Sequence, residues 1–149
     1  MPGQRASPSR TVAKPRAGSR SPALSPRLVQ QVVRAVIEGE RREAMVQVTF
    51  LGPARMRRIN LRWKGHDRPT DVLSFSLPLP GKSLFGDVFV CRQVARQQAR
   101  DLGIPEREEL IRLVVHGTLH ALGFDHPEGS GRISSAMWRR QERYVRALA

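Results

Sequence analysis

Cysteine, acidic residues and long apolar runs are all scarce in this sequence, and each shortage removes a class of protein. One cysteine, Cys91, stands among 149 residues. That excludes an internal disulfide framework and a cysteine-rich zinc finger, and it fits a reducing compartment. Its expected role is that of a small buried hydrophobe. No stretch approaches the roughly 18 apolar residues of a membrane span, and the start lacks the apolar core of a secretory signal. A cytoplasmic protein that does not engage membrane is expected. Only 13 Asp and Glu oppose 26 Lys and Arg, leaving a formal charge of +13, which suits a polyanionic partner. Because 40% of the residues are hydrophobic, this charge does not empty the core, and one folded domain is expected.

The charge is concentrated at the start. Residues 1–26 hold Arg5, Arg10, Lys14, Arg16 and Arg20, five prolines and five serines, with almost nothing large and apolar. Such a segment cannot offset its ordering entropy, so residues 1–26 are expected to form a disordered basic arm and 27–149 a single domain. An Arg- and Ser-rich start also resembles an organelle transit peptide, although five prolines oppose the amphipathic helix that such peptides form.

Past the arm, helix and strand patterns alternate. Pro26 opens a helix in which Leu28, Val32, Val33, Val36 and Ile37 recur at helical spacing. Val46, Val48 and Phe50 alternate as a half-buried strand. Pro53 starts a short helix with Met56, Ile59 and Trp63 expected to face inward and Arg55, Arg58 and Arg62 sharing another face. Residues 64–70 read as a loop, followed by strands over 71–77 and 86–91. Three helices complete the chain: Cys91 to Leu102, Glu106 to about Leu122, and a basic one from about Gly131 to Leu148. In the last, Arg132, Arg139, Arg143 and Arg146 share a face. This order predicts an α+β fold, a small mixed β-sheet covered by helices.

The chemistry lies in His116-Gly117-Thr118-Leu119-His120-Ala121-Leu122-Gly123-Phe124-Asp125-His126. His116 and His120 are one helical turn apart, so both imidazoles project from one face. Gly123 then lets the chain turn and His126 complete a third corner. Three neutral imidazoles leave an open position, the pattern of a catalytic zinc site, whereas structural sites are closed by four protein ligands. A lone helical histidine is usually a satisfied core or surface residue. Three at this spacing, in a helix apolar on most sides, are better explained by a metal, because burying unpaired imidazoles costs free energy. Zinc peptidases place a glutamate base directly after the first histidine. Here that position is Gly117, which opposes a peptidase.

His116 to His126 resembles the H-G-x-L-H-x-x-G-[YF]-D-H signature of the YbeY family of endoribonucleases. A second stretch agrees: Asn60 to Phe75 is similar to the family's N-x3-[RK]-G-x-D-x-P-T-[DN]-V-L-S-F segment, and Gly86 to Cys91 to its G-D-[IV]-x-[IV]-[CS] strand. The resemblance implies a zinc-hydrolase-like fold with the metal-binding helix buried against the sheet. It also implies a single-strand-specific, zinc-dependent endoribonuclease, one Zn2+ per chain, that matures the 3′ end of 16S ribosomal RNA and joins ribosome quality control, with ribosomal proteins as further candidate partners.

On that reading His116, His120 and His126 hold the metal, and Lys64 offsets charge developing at phosphorus. The family commonly has arginine where Lys64 stands, so a point charge replaces a bidentate fork. Asp125 is a candidate base, although orienting a ligand histidine or shaping its own loop suits it better. His66, Arg68 and the Arg55, Arg58, Arg62 stripe are candidate contacts to RNA. A ribosome-assembly module with a mainly structural metal is the alternative reading.

Overall fold

The computed structural model of the chain describes residues 23–126, 131–132 and 135–149. Most of the expected basic arm therefore lies outside the described residues. Its end does not behave as an arm: Leu24 is buried in the core, and the Ser25 hydroxyl accepts from the Leu28 N–H at 3.2 Å to cap the first helix.

Eight elements follow in the order α1 (Pro26–Gly39), β1 (Ala44–Leu51), α2 (Pro53–Lys64), β2 (Val72–Pro78), β3 (Leu84–Cys91), α3 (Arg92–Leu102), α4 (Glu106–Ala121) and α5 (Ala136–Leu148). The sheet order is β1-β3-β2, with β1 parallel and β2 antiparallel to β3. This is the mixed sheet covered by helices that the alternation of patterns implied.

Strand alternation divides the core in two. Val46, Val48, Val88 and Val90 point to one face, where they pack with α1, α4 and α5. Leu51, Leu73 and Cys91 point to the other and meet Met56 of α2. α4 is the central helix, in contact with all three strands and with α1, α3 and α5. Its burial on most sides explains why its sequence is apolar nearly all round.

Two glycines set how closely α4 lies on the sheet. A Cβ at Gly117 would stand 2.5 Å from Val88 Cγ1 and 3.1 Å from both Ser74 Oγ and Val72 Cγ2. A Cβ at Gly86 would stand 2.8 Å from the Ala121 Cβ. Backbone and sheet are therefore in direct contact at both points, and Ser74 Oγ donates to the Gly117 carbonyl at 2.8 Å.

Two expectations need correction. Trp63 is 62% exposed: the inward stripe of α2 ends at Asn60, whose buried amide is needed to hold the following loop, and Trp63 packs edge-on to Phe75 at the surface. The last helix starts at Ala136, where Ser135 Oγ accepts from the Trp138 N–H, and not near Gly131. Arg132 accordingly lies before the helix and shares no helical face with Arg139.

Gly117→Ala tests the close approach. Alanine gains about 1 kcal/mol of helix propensity, but overpacking against a β-branched side chain costs about 1–3 kcal/mol. Net destabilisation is expected in urea unfolding, and a more stable variant would show that α4 has room to move off the sheet.

Candidate metal centre

α4 delivers His116 and His120 from its last turns, and the helix end delivers His126. Leu122 closes the helix, and Gly123 takes φ 102°, a left-handed conformation that a side chain would strain. The Phe124 N–H then returns to the Leu119 carbonyl at 3.0 Å. Asp125 Oδ1 accepts from the His126 N–H at 2.9 Å, so its carboxylate fixes the loop that carries the third imidazole.

The three rings converge. Their centroids are 4.6 Å (116–120), 5.1 Å (116–126) and 4.9 Å (120–126) apart, and a ring nitrogen from each lies within 4.8 Å of the others. This group could hold a metal ion. The donors suit one, because His116 is only 5% exposed and burial pushes its pKa from 6.5 down to about 4, while burial and the neighbouring His126 lower His120 as well. Both imidazoles are thus neutral at pH 7, with lone pairs available.

A residue that sequence reasoning missed orients the first ligand. Gln141 of α5, 1% exposed, places Oε1 2.6 Å from His116 Nδ1. A carbonyl oxygen only accepts, so Nδ1 carries the proton and Nε2 is left for an ion. The signal was present: Met137, Gln141 and Val145 are the buried stripe of α5, and a polar residue in the middle of such a stripe needs a partner.

The second motif is largely scaffold. Asn60 Nδ2 donates to the Arg68 carbonyl at 2.8 Å, and Arg57 grips Asp67 with two bonds of 2.6 and 3.1 Å. Asp71 Oδ1 accepts from the Val72 N–H, and its Oδ2 accepts from Gln98. These bonds pin the 65–71 loop and leave His66 and Arg68 exposed beside Arg58 and Arg62, with Arg55 half-buried.

Lys64 is the last residue of α2. Its Nζ lies 5.8 Å from the centre of the Phe75 ring. Ser74 meets α4, so its neighbour Phe75 points to the opposite face of the sheet. Lys64 therefore lies over the α2 side of β2.

The family model for endoribonuclease YbeY matches residues 19–149. The chain belongs to the YbeY family. Three proteins named endoribonuclease YbeY are similar to it. That of Persephonella marina is 35% identical over 130 residues, covering 84% of this chain and 83% of its own. That of Desulfitobacterium hafniense is 39% identical over 134 residues, covering 83% of each. That of Thermotoga maritima is 31% identical over 117 residues, covering 78% and 76%. The fold resembles a solution structure of a Thermotoga maritima protein with a TM-score of 0.62 at 27% identity, over 92% of this chain and 87% of that one. In this YbeY chain no helix among the described residues is long and apolar enough to cross a membrane.

The depressed His116 pKa has a thermodynamic consequence for the metal-free protein. The unfolded histidine takes up its proton first as pH falls, so stability is full above about pH 6.5 and is lost towards pH 4. Linkage puts the loss on the order of 3 kcal/mol. Urea midpoints of chelator-treated protein should fall across that window, and less steeply in His116→Gln; equal slopes would contradict the burial of a neutral imidazole.

Proposed function

We propose that this chain is a zinc-dependent endoribonuclease that cuts single-stranded RNA, acting in the cytoplasm in 3′-end maturation of 16S ribosomal RNA and in ribosome quality control. The observation that carries this reading is the cluster of three imidazoles with no fourth protein ligand among the described residues, in a chain of charge +13 whose named relatives are endoribonucleases.

Three nitrogen donors of borderline softness fit zinc and leave a coordination position open. His116, His120 and His126 would hold the ion, which when bound supplies a Lewis acid that activates water and polarises a phosphoryl oxygen. Gln141 keeps His116 in the tautomer that ligates, and Asp125 holds the loop of His126; both are positioning residues on this reading. Arg58, Arg62, His66 and Arg68 form an exposed basic surface on α2 and its loop that suits RNA phosphates, with Arg55 at its margin. Lys64, an exposed cation at the end of α2, would pair with a phosphate of the bound strand. A peptidase is disfavoured because Gly117 has no space for a glutamate base.

Purified protein should cleave single-stranded RNA and leave duplex RNA and casein intact. Chelation should abolish cleavage and zinc should restore it; metal-independent cleavage would overturn the proposal. Lys64→Ala separates binding from chemistry. KM should rise several-fold and the salt slope of binding fall by about 1, with kcat little changed. A drop in kcat on the order of a hundredfold would instead assign Lys64 to the reacting phosphate.

A further inference from the structure

Between α3, α4 and α5 lies a cavity of about 630 Å³ that His116, alone of the three imidazoles, lines together with Gln141. Its size is in the range of small-ligand sites. Part of its wall is apolar: Leu102, 64% exposed, with Ile104 and Leu113. Trp138 lines it too, with the Arg132 guanidinium 5.7 Å from the ring centre.

Two buried donors in this wall have no partner among the described residues. Gln141 spends Oε1 on His116, which leaves its amide N–H2 as the group it can present, and Gln141 Nε2 is buried and unbonded. Arg132 Nε is in the same state. Buried donors without acceptors cost free energy, and a small shift of either side chain towards the cavity would bring it to the acceptors of a ligand.

The acceptors of the cavity decide the class of ligand. Among the described residues, the carboxylates of Asp71, Asp101, Glu109 and Glu142 outnumber the cations Arg112 and Arg132, and Arg112 is already committed to Glu142 at 3.0 Å and to Glu109 at 3.4 Å. A phosphate would be repelled here. A flat heterocycle with both donor and acceptor edges is not. Indole and guanidinium planes are also surfaces on which bases stack.

We infer that this cavity is a nucleobase subsite that takes one unpaired base of the nucleotide next to the scissile phosphate, with the Trp138–Arg132 wall as stacking surface and the Gln141 amide as hydrogen-bond donor. The inference rests on the endoribonuclease reading and deepens it: a base held in a duplex cannot enter, so the subsite itself selects single strands. Because Gln141 also holds His116, base occupancy and ligand orientation meet in one side chain.

The test uses the full chain and a short single-stranded RNA whose cut position has been mapped, compared with the same RNA made abasic at the nucleotide on either side of the cut. One abasic substitution should lower kcat/KM by about tenfold or more. Trp138→Ala should lose about as much on intact RNA and nothing further on the abasic one, and Trp138→Phe should recover most of the loss. Independently of cleavage, in a Trp63→Phe background the Trp138 emission should be quenched saturably by free nucleosides. Equal cleavage of intact and abasic RNAs, with no quenching, would overturn the subsite and leave the endoribonuclease reading standing. Saturable quenching in a protein that cuts no RNA would overturn that reading, and with it the place beside a scissile phosphate, and leave a cavity that binds nucleobases.

Discussion

The contact of the α4 backbone with the sheet at Gly117 is the constraint from which the site follows. A helix held this close cannot roll, because Val88 and Val72 fill the space into which any side chain would project. Ser74 then bonds the Gly117 carbonyl itself. With the rotation of α4 determined, the directions of His116 and His120 are determined too, on the flank where α5 approaches. A glycine here lowers helix propensity and in return removes the position at which a peptidase would carry its base. Fold and choice of chemistry thus depend on one absent side chain.

The bond from His116 to Gln141 carries the order of the core into the site. It spans α4 and α5, selects the tautomer of the imidazole and lies at the wall of the neighbouring cavity. Arg112 ties the same two helices through Glu142, and Arg140 of α5 reaches Glu40, the residue after α1, at 2.6 Å. Ion pairs in such partly buried settings place elements more than they stabilise them. Here they locate α5, and with it the glutamine.

Much of this was legible in the sequence because local chemistry dictated it. Pro26, Pro53 and Gly103 bound helices where their φ preferences require, and the i, i+4 histidines followed by Gly123 announce three convergent rings. What was not legible depended on tertiary contacts. Trp63 sits at helical spacing from Met56 and Ile59, but Asn60 takes the last buried position of α2. Lys64 ends α2 in a motif that reads as part of the site, and its neighbour there, the Phe75 ring, is set by the pleat of β2 and not by local sequence. Leu24 belongs to a composition that reads as disordered, and one buried leucine is too small a signal to show where the arm ends. Gln141 was visible only as a polar residue in an apolar stripe, and its partner is 25 residues away in sequence.

On the proposed reading three imidazoles, with no thiolate or carboxylate, hold an ion with an open position. X-ray absorption at the metal edge, on protein purified without added metal and quantified for metal content, tests it most directly. About one equivalent of zinc is expected, with three imidazole nitrogens at about 2.0–2.1 Å and one further light atom, and with one imidazole fewer in His126→Ala. A shell containing sulfur, or a protein that cuts single-stranded RNA without stoichiometric metal, would contradict it.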